Sequence, residues 1–275
     1  MKQLLKSIMF AAVLFAAAMD ACGQAQTAPA GERSATDLAK TTQNPVGDIV
    51  SVPFQFNFNN GGAYKDSTYF NLNFQPVIPI HLNHKVTLIS RTIVPIDSVP
   101  TGNGTSSSGV GDIQEQTFFT PARPHKIIVG VGPTFSLPTA TASPVKTGTW
   151  AGGVSGVVLA MPGPFVVGSL FSQLWPMSDS GGEPKTDLFL WQYFINYNFG
   201  KGWALATAPS ITANWDAAAG QKWTVPVGGG ISRTLIFQKQ PMTLGFQYYY
   251  NAVRPDTASS TTVRFIFALI FPERP

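Results

Sequence analysis

Charged and amide side chains are scarce enough in this sequence that their placement is informative. Arg91 sits within the apolar run from Ile89 to Ile96, and Arg264 within Val263 to Phe271. Asp112, Gln114, Glu115 and Gln116 form the most polar short segment. Gln55 and Asn57, then Asn71, Asn73 and Gln75, recur at every second position, and Gln192 and Asn196 share a parity. A guanidinium fixed in a low-dielectric passage favours anions. Glu115 falls near Arg91's depth and offers it an ion pair, yet strict alternation cannot turn both Asp112 and Glu115 to one face. These residues read either as a solute-selecting constriction or as a polar network that fills an interior.

Catalytic chemistry finds less support. His81, His84 and His125 all fall in expected tight turns, and none is followed by a serine and acid arrangement. His81 and His84 lack a nearby carboxylate to complete a metal site. Gly228-Gly229-Gly230 lies within an expected strand and no lysine follows, so it is not a phosphate loop. Cys22 is the only cysteine, which excludes an intrachain disulfide and a thiolate cluster. The expectation is a protein that is not an enzyme and carries no catalytic residue, metal or cofactor.

The positions of these side chains depend on elements with a period of two. Val50, Val52, Phe54, Phe56 and Phe58 alternate with Ser51, Pro53, Gln55 and Asn57. Phe70, Leu72 and Phe74 oppose Asn71, Asn73 and Gln75, and Val263, Phe265, Phe267, Leu269 and Phe271 oppose Arg264 and its neighbours. A solvated face of a soluble sheet normally carries Lys and Glu. Here the small and polar face carries few of them, and charged residues make up only 12% of the chain, about half the usual share. Lipid outside and a wet lumen inside explain that pairing. The formal charge of +4 comes without a basic cluster, so nucleic acid is not an expected partner.

Strands are expected over 49–59, 68–80, 86–95, 110–119, 126–138, 151–161, 165–175, 187–199, 203–215, 222–232, 241–250 and 261–271. Connections alternate between generous ones, such as Ile96 to Gly109, and tight ones, such as Gly200 to Gly202. Long loops on one rim and short turns on the other are the outer-membrane pattern. The fold class is therefore all-β, an antiparallel transmembrane β-barrel of about twelve strands. The apolar stretch from Thr147 to Ser178 is broken at Pro162-Gly163-Pro164 and reads as two strands rather than a helix. Pro133, Pro209 and Pro226 fall inside expected strands, where each removes a ladder donor and implies a bulge. Trp191, Trp203, Trp215 and Trp223 read as interfacial girdle residues.

Lys2 and Lys6 precede an apolar run that ends in small residues, the grammar of a signal peptide over residues 1–25. Met19-Asp20-Ala21-Cys22 is the competing lipoprotein reading. Residues 26–48 form a periplasmic linker or a plug, the linker being slightly favoured, with Ser34 and Asp37 placed to cap a short helix. The barrel then occupies residues 49–275.

Several segments resemble the bacterial outer-membrane family named for the MetA pathway of phenol degradation. They are Leu38 to Pro45 running into Ile49-Val50-Ser51-Val52-Pro53-Phe54-Gln55, then Gln75-Pro76-Val77-Ile78-Pro79 and Arg91-Thr92-Ile93-Val94-Pro95. Gly109-Val110-Gly111-Asp112-Ile113, Gly130-Val131-Gly132-Pro133, Leu137 to Thr141 and Trp223-Thr224-Val225-Pro226 complete the resemblance. It implies a barrel in the bacterial outer membrane and passage of small organic molecules, and it brings no catalytic set. The expectation is passive passage of small hydrophobic or aromatic molecules, with outer-membrane lipids, small organic solutes and the barrel-assembly machinery as partners. The alternatives are a structural or adhesive barrel and a lipid-modifying outer-membrane enzyme.

Overall fold

A computed structural model describes residues 34–64, 67–102, 104–123, 126–141, 145–146, 149–177 and 187–271. The expected signal peptide, Cys22 and His125 lie outside the described residues. One sheet contains β1 (Val50–Asn60), β2 (Thr68–Phe74), β3 (Val77–His81), β4 (Val86–Gly102), β5 (Thr105–Val110), β6 (Ile113–Pro121), β7 (Ile127–Leu137) and β8 (Ala151–Ala160). It continues through β9 (Phe165–Pro176), β10 (Leu188–Gly200), β11 (Trp203–Thr207), β12 (Ser210–Asn214), β13 (Trp223–Phe237), β14 (Gln240–Val253) and β15 (Thr261–Phe271). Because β2 with β3, β5 with β6 and β11 with β12 are interrupted single staves, the segments make a closed, antiparallel barrel of twelve strands. All eleven residues of β1 pair with β15, from Val50 opposite Phe271 to Asn60 opposite Thr261.

Two of the three interruptions fall where proline removes a donor, and the third, between β5 and β6, falls at Gly111-Asp112. Gln75-Pro76 separates β2 from β3, and Ala208-Pro209 separates β11 from β12. Pro226 coincides with a register shift between β13 and β14. Around Pro133 the β6–β7 ladder skips from Gln116–Thr134 to Phe119–Val131. There the Ser155 hydroxyl donates to Thr117 O and Gly132 O at 3.3 and 3.2 Å. Gly132 is required at that approach, since a Cβ would stand 2.1 Å from Thr117 O.

The expected loop from Ile96 to Gly109 is instead hairpin. β4 and β5 extend the wall, with Ser108 donating to Ser98 at 2.9 Å and the Thr101 and Thr105 hydroxyls 2.8 Å apart. The polar alternation that suggested a loop reflects a strand pair standing in water beyond the apolar belt. On the opposite rim the connections are short, and Gln238-Lys239 turns the chain with both residues at positive φ. Outward residues such as Val131, Val154, Leu205 and Tyr248 are exposed and apolar, as on a bilayer-spanning barrel.

Residues from Ser34 to Ile49 lie inside the barrel at the short-turn rim. The helix α1 (Ala35–Thr42) is capped by the Ser34 hydroxyl, which accepts from Asp37 N at 3.1 Å. It packs against β10, β11, β13 and β14, and Leu38 meets Ile49 and Ile270. Because α1 and Val46 pack against inward residues of the barrel wall, the described segment Ser34 to Ile49 is called the plug below.

The short-turn rim is the periplasmic one under the outer-membrane rule. Single cysteines at Ser106 and Thr257 are therefore expected to react with an impermeant thiol reagent on intact cells, whereas cysteines at His84 and Lys201 react only after the outer membrane is opened. The reverse pattern would invert the topology.

Candidate functional site: the lumen above the plug

Alternation in the closed register turns eleven of the expected polar residues, spread around the wall, to the lumen: Gln55, Asn57, Asn71, Asn73, Gln75, Arg91, Gln114, Gln116, Gln192, Asn196 and Arg264. Asp112, at the β5–β6 interruption, is also buried and accepts from Ala140 N at 2.9 Å. Glu115 is the correction. It shares its face with Phe119, which is 43% exposed, while Gln116 and Phe118 on the other face are 2% and 0% exposed. Glu115 therefore points outward, where Ser90 Oγ and Thr92 Oγ1 each donate to its carboxylate at 2.6 Å. The expected Arg91–Glu115 pair cannot form because adjacent depth on a strand is not a shared face.

Arg91 is held by neutral groups instead. Its Nη1 donates to Gln116 Oε1 at 2.9 Å and its Nη2 to Gln75 Oε1 at 3.0 Å. Such hydrogen bonds position a guanidinium without cancelling its charge. Nearer the long-loop rim, a transverse row crosses four strands. Arg264 Nε donates to Asn57 Oδ1 at 2.7 Å, Asn57 Nδ2 to Asn71 Oδ1 at 3.0 Å, and Asn71 Nδ2 to Asp97 Oδ1 at 2.8 Å. Tyr69 OH donates to the same Asp97 oxygen at 2.6 Å. The Arg264 guanidinium also lies 5.0 Å from the centre of the Tyr249 ring. Tyr249 OH in turn accepts from Ala208 N at 3.1 Å, satisfying the donor released by the β11–β12 interruption.

Asp97, Tyr69 and Tyr249 were missed in the sequence. Asp97 lies beyond the expected end of its strand at residue 95, within the segment expected to be a connection, and the two tyrosines carry the parity of the polar face, Tyr69 with Asn71 and Tyr249 with Gln247. A second omission is larger. Below Arg91 the inner wall is apolar: Val77, Ile89 and Phe118 join Val157, Leu159, Val166, Leu170 and Phe194 around Val46 of the plug. The available signal was that Val157 to Leu159 and Phe165 to Val167 are apolar on both faces, as in strands buried on both sides.

Polar bonds fasten the plug at the rim. Gln43 and Asn198 exchange amide hydrogen bonds at 3.0 and 2.9 Å. Lys40 Nζ donates to Gly163 O at 2.7 Å, and Gly202 N donates to Thr36 Oγ1 at 3.2 Å. His81 Nε2 lies 3.0 Å from Asp48. His84 lies in its expected rim turn, whereas His81, expected in the same turn, ends β3 opposite Thr87 and tethers the plug.

No protein-family model matches the chain, and no curated protein sequence matches it. Among solved structures it resembles the COG4313 outer membrane channel from Pseudomonas putida F1, at 14% identity and a TM-score of 0.61 over 81% of this chain and 94% of that chain. It also resembles the NanC porin, at 9% identity and a TM-score of 0.51 over 82% of this chain and all of that one. These likenesses concern the fold, which is that of a bacterial outer-membrane barrel.

The facing of residues 115 and 116 has a measurable consequence. Gln116→Val removes an acceptor from the buried Arg91 guanidinium and is expected to destabilise the barrel by about 1.5–3 kcal/mol in urea unfolding from liposomes. Glu115→Val, on the lipid side, is expected to leave stability unchanged or raise it. Equal losses at both positions would contradict the assigned faces.

Proposed function

We propose that this chain is a passive outer-membrane channel, and not an enzyme, for small hydrophobic or aromatic molecules, with a preference for those that carry negative charge. One observation carries the reading: the lumen has an arginine-bearing polar upper wall and an apolar lower wall, and the lower wall is covered by the chain's own Val46. A lumen that served only to be filled would gain nothing from an inward apolar patch placed under a cation that, among the described residues, is held by amides alone. Passage then requires the plug to shift. The rim bonds that hold it are few and mostly between neutral groups, each worth about 0.5–1.5 kcal/mol. Lipid around the apolar belt and the assembly machinery during biogenesis are the remaining partners of this reading.

In planar bilayers the wild type is expected to give small, anion-preferring conductance, and Arg91→Gln to reduce that preference while the barrel keeps its heat-modifiable gel mobility. Val46→Asp combined with Asn198→Ala weakens the plug seat and is expected to raise the open fraction. A wild type that conducts nothing and admits no organic solute into liposomes, together with an Arg91→Gln barrel that is merely less stable, would make the arginine structural and remove the reading's support.

A further inference from the structure

We propose that the pocket now filled by Val46 is the binding site of a small organic acid, whose carboxylate pairs with Arg91 and whose apolar body takes the place of Val46. The inference deepens the channel reading and rests on it for the side from which the ligand arrives. Three observations lead to it. The apolar pocket belongs to the barrel wall, and Val46 is the plug's contribution to that buried cluster. A pocket whose occupant is a short aliphatic side chain on a turn is already shaped for an apolar body of modest size.

The charge stands at the rim of this pocket. Arg91 is the ladder partner of Val77, and Ile89, two residues below it on the same face, pairs with Phe118. Both acceptors on Arg91 are amides, so among the described residues the cation is positioned without a carboxylate partner. An anion with an apolar tail satisfies both parts of the site at once. A neutral hydrocarbon would meet only the lower part, and an inorganic anion only the upper.

The mobile half of the exchange is the turn that presents Val46. Val46 N donates to Asn44 Oδ1 at 3.0 Å and Gly47 N to Asn44 O at 3.1 Å, while Asn44 N bonds back to Thr41 O of α1 at 3.2 Å and His81 holds Asp48 at the far end, so the backbone bonds of Val46 and Gly47 stay within the plug and do not reach the barrel wall. The helix α1 is anchored separately through Gln43 and Asn198. The turn can leave the pocket while the helix stays tethered. Ligand and Val46 exclude each other, so binding of the solute shifts the plug toward its displaced position by the ligand's differential affinity for the two states.

The test uses the full-length chain with Cys22→Ser and Val46→Cys, refolded in liposomes, and hexanoate as the probe. Saturable acceleration of maleimide labelling at position 46, by about tenfold at saturation, is expected with hexanoate. It should be absent with 1-hexanol and lost in Arg91→Gln. Calorimetric titration of hexanoate into the wild-type chain, where Val46 is intact, should show one site that Arg91→Gln abolishes. Unchanged labelling and no heat would overturn the proposal even if bilayer recordings keep their anion preference, in which case the channel reading stands. Equal acceleration by 1-hexanol would also overturn it. Saturable labelling and binding without any solute uptake would support the site and remove the channel reading.

Discussion

Within hydrocarbon no water is available to a backbone amide, so a sheet can cross only if it has no free edge. The pairing of β1 with β15 along the whole of β1 meets that requirement, and most other features answer to it. It fixes the register of every strand, and because side chains alternate, register decides which residues see lipid and which see the lumen. Two of the prolines that interrupt the ladder are accompanied by a repair: Ser155 reaches Thr117 O near Pro133, and Tyr249 OH receives Ala208 N before Pro209. Unpaired groups at these positions would each cost several kcal/mol in such surroundings.

Closure with twelve strands creates a second obligation. Barrels of about eight strands are filled by their own side chains, and those of about sixteen enclose open water. The intermediate width here exceeds what the inward side chains fill, and the chain places its own residues Ser34 to Ile49 in the remaining space. Apolar inward residues are tolerated only because that segment covers them. The plug and the apolar lower wall therefore imply each other, and the polar upper wall, left uncovered, collects the arginines and amides.

The strands were legible because period-two alternation is strong wherever one face meets lipid, as in Phe54, Phe56 and Phe58 against Gln55 and Asn57. The helix cap at Ser34 was legible for the same local reason. What was not legible depended on parts of the chain remote in sequence. Nothing near Val157 or Leu170 says that a segment over a hundred residues upstream will cover it. Asp97 was lost because the pattern past Pro95 turns polar, which a water-standing hairpin and a loop share. Glu115 was misassigned because depth was judged without parity: Thr92, not Arg91, is its ladder partner.

That last error shows how closely the site depends on the closure. A slip of one residue between β4 and β6 would turn Glu115 inward beside Arg91 and cancel the charge, and it would turn Phe118 out of the pocket beneath. The register that satisfies the backbone hydrogen bonds is therefore the same one that leaves Arg91 among neutral amides and sets Phe118 under it. Ser90 and Thr92 complete the arrangement on the lipid side, where their hydroxyls absorb the carboxylate that alternation sends outward. A cation held by amides above an apolar floor thus follows from a single choice of pairing. Substitutions that disturb pairing between β4 and β6 should act on the lumen's electrostatics as well as on stability.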